Sequence, residues 1–252
     1  MTKIDFNIVW DDAKAMAATN RDLLTAIAGM FLLLPLVVSS QLLTVPELPG
    51  KNPSEAAVLA WYEAYMSANW LLLLVVTLIT SFGTLAMLTL LLRPERLTVA
   101  ESMHAAVRVL PSYFVAYILQ TFGIMAGLML FIIPGLYLIG RFALVAAVAA
   151  AAGHANPLTL LRRSAALTHG NGWRVFFLLA VIMVILFIIN IIATVMIGLF
   201  ASLLLPSDLA DLALGIISGL FWAAIFTLIV LVSAAIYRAT TAPVARRWEP
   251  DV

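Results

Sequence analysis

Six long apolar stretches are separated by short polar loops, and the positive charge collects in every second loop. Of the 14 Lys and Arg residues, all but Lys51 and Arg141 fall in four segments that a six-span threading places on one side. These segments hold Lys3, Lys14 and Arg21; Arg93, Arg96 and Arg108; Arg162, Arg163 and Arg174; and Arg238, Arg246 and Arg247. Lys and Arg are retained in the cytoplasm during insertion, so such a bias sets orientation. It predicts a multi-pass protein with both termini cytoplasmic. The apolar runs place spans at about 22–43, 70–92, 112–133, 136–152, 173–200 and 212–236. Each is as long as a bilayer crossing requires, roughly 17 to 25 residues, or longer.

Charged residues make up 11% of the chain, under half of the roughly 25% usual in soluble domains. No basic run is large enough to grip a phosphate backbone, so nucleic acid is not expected as a partner. There are no cysteines, which excludes disulfides, Cys-based zinc sites and thiol chemistry. Asp5, Asp11, Asp12 and Asp22 make the stretch before the first apolar run acidic, whereas a leader peptide needs it basic. That run is therefore read as a span.

Local signals divide the chain further. Residues 1–20 read as an amphipathic segment, with Ile8, Val9, Ala13 and Met16 on one face and Trp10 at the interface. Pro35 is expected to kink span one. In the first outer loop, Asn52 followed by Pro53 reads as a helix start, and Trp61, Tyr62, Tyr65 and Trp70 read as an aromatic belt. Thr98 and Glu101 have capping-box spacing. They open an interfacial helix with Val99, Met103, Val107 and Leu110 on one face, which Pro111 should end. Pro134-Gly135 marks a tight turn between spans three and four. Asn156 and Pro157 start another cytoplasmic helix, Gly170 stops it, and Leu158, Leu161 and Ala165 should face the membrane. The Ala-rich run Ala143 to Ala152 suits a crowded bundle centre. Three times, an amphipathic segment precedes a pair of spans (6–92, 98–152 and 157–238). The fold expected is all-α: a polytopic membrane protein of six transmembrane helices with cytoplasmic amphipathic interfacial helices, residues 1–252 forming a single transmembrane domain.

From Pro134 to Trp173 the chain reads Pro134-Gly135-Leu136-Tyr137-Leu138, Arg141-Phe142, Leu161-Arg162-Arg163-Ser164, Leu167-Thr168-His169-Gly170 and Trp173-Arg174. This stretch resembles the bacterial membrane domain joined to some glycerophosphoryl diester phosphodiesterases, and the related YciC-like inner-membrane proteins. The resemblance implies a multi-span module of the bacterial inner (cytoplasmic) membrane. It does not imply phosphodiesterase activity, which belongs to a separate soluble barrel. In that family an acidic residue often precedes the cytoplasmic helix; Ala151-Ala152-Gly153-His154 stands there in this chain.

Three polar side chains fall within spans: Gln120, Arg141 and Asn190. Polar groups at membrane depth mark either helix-to-helix bonding or a pathway. Arg141 lies six residues past Gly135, about 9 Å below the outer turn, and Asn190 about 25 Å above the inner surface. The two are thus expected at one depth and within reach of each other, with Asp208 or Asp211 as further partners for Arg141. A second group, Arg162, Arg163, His169, Trp173 and Arg174, lies at the cytoplasmic interface, where basic groups attract anionic headgroups. Gly123 with Gly127, and Gly215 with Gly219, have the spacing that lets helices approach closely; packing within the chain is favoured over dimerisation. His104, His154 and His169 lack metal-site spacing, and no nucleophile elbow, phosphate loop or intramembrane carboxylate pair occurs. The reading is a protein with no enzymatic activity, cofactor or metal that organises membrane lipids or a partner membrane protein at the cytoplasmic interface. The alternative is a small transporter or permease with a path near Arg141 and Asn190. Oligomeric state stays open.

Overall fold

The structure, a computed structural model, describes residues 4–50, 52–93, 97–153 and 156–241, without the side chains of residues 202, 207 and 208. Lys3, Lys51, Arg96, His154, Arg246, Arg247 and the Asp208 side chain lie outside this description. Among the described residues there is no strand, and six helical runs are long and apolar enough to cross a membrane. The protein is an all-α polytopic membrane protein.

Span one consists of α1 (Phe6–Ala28), a π-helical turn (Gly29–Leu33) and α2 (Leu34–Leu42). Asp5 caps α1 by accepting from the Asn7 N–H at 2.8 Å. At Asn20 the backbone leaves the helical region (φ −118°, ψ 17°), where the amphipathic segment becomes the apolar span. Pro35 has no N–H for the ladder, and the widened π turn just before it absorbs the misfit. Span two is α3 (Glu55–Leu92), capped by Ser54, whose side chain accepts from Ala57 N–H. The helix start expected at Asn52 and Pro53 is thus displaced by two residues. Asn69 is buried in α3 and clamps the loop that follows α2: it accepts from Thr44 N–H at 2.9 Å and donates to Thr44 O at 2.8 Å.

α4 (Val99–Leu130) opens with the Thr98/Glu101 capping box. It runs through Pro111 without a break, so the interfacial helix and span three are one element. Ala106, Val109, Tyr113 and Ala116 are all buried, and this continuous packed face outweighs the one backbone bond that proline removes. The turn to span four falls at Phe131, whose backbone is extended (φ −156°, ψ 137°). Pro134 lies inside the first turn of α5, where proline fits because an N–H at that position has no helical partner, and the following Gly135 N–H donates to the Phe131 carbonyl. The expected tight turn at Pro134-Gly135 is corrected accordingly.

Span four is broken in two. α5 (Ile132–Phe142) ends at Ala143-Leu144, and α6 (Val145–Ala152) follows. α7 (Pro157–Leu167) begins with the Asn156 side chain accepting from Leu158 N–H at 3.0 Å. α8 (Gly172–Leu204) and α9 (Ser207–Thr241) complete the bundle. α9 packs antiparallel along span one. A Cβ on Gly219 would lie 2.7 Å from Val37, one on Gly215 would strike Ser40, and Arg238 pairs with Asp12 at 3.2 Å.

The densest packing lies at the end of the bundle that carries Asp12 and Arg238. There α6 packs against α3, α4, α7 and α9. Its Ala147, Val148, Ala149 and Ala150 are completely buried. Lipid is as apolar as the side chains it replaces, so dispersion contacts and close approach hold such helices together; alanine permits that approach.

Candidate functional site

The site is assembled where α5, α7 and α8 meet. α7 packs against α4, α5 and α6, and its buried positions are Leu160 and Ser164, followed by Thr168 just past the helix end. These residues recur every four positions and form one helical face. The face repairs the break in span four. Ser164 Oγ donates to the Arg141 carbonyl at 2.9 Å and accepts from Leu144 N–H at 3.3 Å, and Thr168 Oγ1 donates to the same carbonyl at 3.1 Å. Backbone groups freed by an interrupted membrane helix need such partners. Leu158 is exposed, as expected, but Leu161 packs against the core.

The α5–α8 crossing fixes the Arg141 side chain. A Cβ on Gly140 would collide with the Gly172 carbonyl, and one on Gly172 would sit 2.9 Å from the Tyr137 ring and 3.1 Å from Arg141 Cδ. The two glycines therefore let the backbones touch. Arg141 leaves this crossing in the last turn of α5, where a cation complements the helix dipole. Its guanidinium lies 5.7 Å from the Tyr137 ring centroid, and Nη1 is 3.5 Å from His169 Nδ1. His169 is exposed on the turn between α7 and α8, which Gly170 completes with φ +76°. Trp173 stands beside them, 5.7 Å from Tyr137 and stacked on Phe177 at 5.8 Å. Trp173 and Phe177 are 37% and 57% exposed, an aromatic surface beside the two polar groups.

Among the described residues the ion pairs are Lys14–Asp11, Arg21–Asp22 and Arg238–Asp12. None involves Arg141, Arg162, Arg163 or Arg174. Arg162 and Arg163 are exposed on α7, on the face away from Ser164. Arg174 is engaged elsewhere: its Nη1 donates to the Ile4 carbonyl at 3.2 Å, and Asn171 Oδ1 accepts from Ile4 N–H at 3.2 Å. These two residues tie the start of the chain to the start of α8.

Arg141 and Asn190 do not meet. Asn190 is buried on α8, 18 residues beyond Gly172, or about 27 Å along the helix. The expected pairing placed the Pro134-Gly135 turn at the outer surface, with Arg141 just below it; in fact the last turn of α5 meets the first turn of α8, at the start of that helix and far from Asn190. Asn190 Nδ2 is buried without a partner, as is Gln120 Oε1. Gln120 faces an internal cavity of about 490 Å³. Gly127 packs on Gly135, its would-be Cβ 3.0 Å from Gly135 Cα, whereas Gly123 has ordinary clearance of 3.8 Å from Phe142.

Ser164, Thr168, Asn171, Gly140 and Gly172 escaped sequence reasoning. The spacing of Leu160, Ser164 and Thr168 carried a signal for a buried face. The two glycines carried none, because their partnership spans two helices. No group of three or more His, Asp or Glu able to hold a metal occurs among the described residues. Comparison with protein-family models, with curated proteins and with solved structures finds no match.

Proposed function

We propose that this multi-pass membrane protein binds an anionic headgroup at the Arg141–His169 site and thereby organises lipids, or a partner membrane protein held through them, at the cytoplasmic face of a bacterial inner membrane. The end carrying Arg162 and Arg163 is taken as cytoplasmic from the charge bias of the loops. The observation that carries the reading is the pairing of Arg141 with His169 at 3.5 Å, with no carboxylate bonded to either among the described residues. Two nitrogen-bearing side chains that converge without an acid leave a position for an anion, and a phosphate oxygen satisfies both. The exposed rings of Trp173 and Phe177 suit the level at which headgroup gives way to acyl chain. Arg162 and Arg163 add attraction of about 1 kcal/mol each to an anionic surface. Nothing in this chemistry requires a catalytic acid, base or nucleophile, and the role proposed is binding. The alternative path through Arg141 and Asn190 has no juxtaposition to support it.

Native mass spectrometry of gently extracted protein tests the proposal. Wild type should carry a stoichiometric anionic phospholipid. Arg141→Gln and Arg162→Ala/Arg163→Ala should each shed it while eluting as folded protein. A bare wild-type protein, or equal lipid retention in all variants, overturns the reading.

A further inference from the structure

We infer that the cavity of about 490 Å³ inside the bundle is a binding site for an uncharged amphiphilic lipid bearing a hydroxyl head, such as a monoacylglycerol. The inference is independent of the headgroup reading, since none of its residues belongs to the Arg141–His169 cluster. All six spans contribute to the wall, so the cavity is a property of the assembled bundle and not a gap along one seam. Its size falls within the roughly 300–1,000 Å³ of small-molecule sites.

Three observations define the ligand. First, no Asp, Glu, Lys, Arg or His among the described residues lines the cavity. A charged group brought there would lose its hydration without gaining a counter-charge, so the occupant is neutral. Second, the polar groups are gathered on two neighbouring helices. α3 supplies Thr77, Thr80, Ser81 and Thr84, and α4 supplies Tyr113, Tyr117 and Gln120. The Thr77 and Thr80 hydroxyls donate to their own helix, at Leu73 O and Val76 O, so only their lone pairs remain to face a ligand. Gln120 Oε1 is a buried acceptor with no donor. Beside these acceptors stand the Ser81, Thr84, Tyr113 and Tyr117 hydroxyls, so the wall suits a head that both donates and accepts, as a hydroxyl does. Third, the facing wall is Ile139, Phe142, Leu179, Phe226, Ile229 and Val230, with Ser233 as its polar residue. Water needs two to four polar partners, and this wall offers one; an acyl chain needs none.

The cavity reaches the break in span four. Phe142, Ala143, Val145 and Ala146 all line the cavity, so the interrupted stretch of backbone borders it.

The test uses the full-length protein in phosphatidylcholine nanodiscs, a monoacylglycerol carrying a diazirine in its chain, and peptide mapping after irradiation. Label is expected on the apolar wall that the chain faces, in the 139–146 stretch of α5 and α6 and the 226–233 stretch of α9. Excess unlabelled monooleoylglycerol should displace it and excess oleate, the charged counterpart, should not. Thr80→Leu, which fills the polar wall, should cut the labelling at least tenfold, whereas Ile192→Leu on the exposed face of α8 should leave it unchanged. Label confined to the lipid-facing 184–204 stretch of α8, which does not line the cavity, or equal competition by oleate, overturns the proposal from the wild-type protein alone, whatever the folding of the variants. Undiminished labelling in a folded Thr80→Leu protein also overturns it.

Discussion

Spans four and five are consecutive, and both are apolar, yet they are used in opposite ways. The α5–α6 run has a mean hydropathy of 2.0 and is 39% buried, whereas α8 reaches 3.3 and is 11% buried. In water the more apolar segment would be the interior one. In a bilayer the order inverts, because lipid solvates Ile188, Ile192, Val195 and Leu199 as well as protein does. What earns a central place there is small size and a polar group with a defined partner. α6 offers alanines, and the break before it offers a carbonyl and an N–H that α7 satisfies. α8 offers a continuous helix with its backbone bonds closed internally, and its bulky side chains can be left to lipid.

The comparison breaks most readily at the α5–α8 crossing. Gly140→Leu should lose about 3 kcal/mol or more, since the side chain meets a backbone carbonyl that cannot yield. Thermal unfolding in detergent, followed by size-exclusion chromatography, should show little folded protein. Next comes Ala149→Leu in the fully buried face of α6, which should destabilise by about 1–3 kcal/mol through overpacking. Denaturant titration by sodium dodecyl sulfate against tryptophan fluorescence would read it. Ser164→Ala should lose about 1–2 kcal/mol, because Leu144 N–H is left buried without an acceptor while Thr168 still serves the Arg141 carbonyl. The same titration should place Ser164→Ala below Ala149→Leu, and Ser164→Thr, which restores the hydroxyl, should recover part of the difference. Ile192→Ala on α8 should stay within about 0.5 kcal/mol. A large effect there would mean that α8 is covered by protein and would remove the contrast between the two spans.

How much was legible differs by kind of feature. The capping box at Thr98/Glu101 and the Asn156-Pro157 start of α7 were readable because each is a contact between residues at most three apart. The kink at Asn20 coincides with the change from amphipathic to apolar pattern, which is also local. Pro111 misled because its local effect was outweighed by packing that the local sequence does not contain. Pro134-Gly135 misled because a proline that ends a helix and one that opens the next look alike within a few residues. Arg141 was recognised as important from its setting in an apolar run, yet its neighbour was missed. Its depth was counted from a turn placed at the outer surface, whereas α5 meets the first turn of α8 at Gly140, only nine residues past Phe131, a relation between two helices that no local pattern announces.

By itself the sequence determined that the chain is helical, that six runs are long and apolar enough to span a membrane, and that its basic residues gather in alternate loops. These follow from hydropathy, length and charge, which add up along the chain whatever the spans later touch. Only the tertiary structure decided that Arg141 faces His169 and not Asn190, that Gly140 and Gly172 form the crossing, and that residues from all six spans line a partly polar, partly open cavity. Those are relations between residues far apart in sequence, set by which helix faces fit closely enough to exclude lipid. Apolar pattern cannot encode that choice where both alternatives, protein and lipid, are equally apolar.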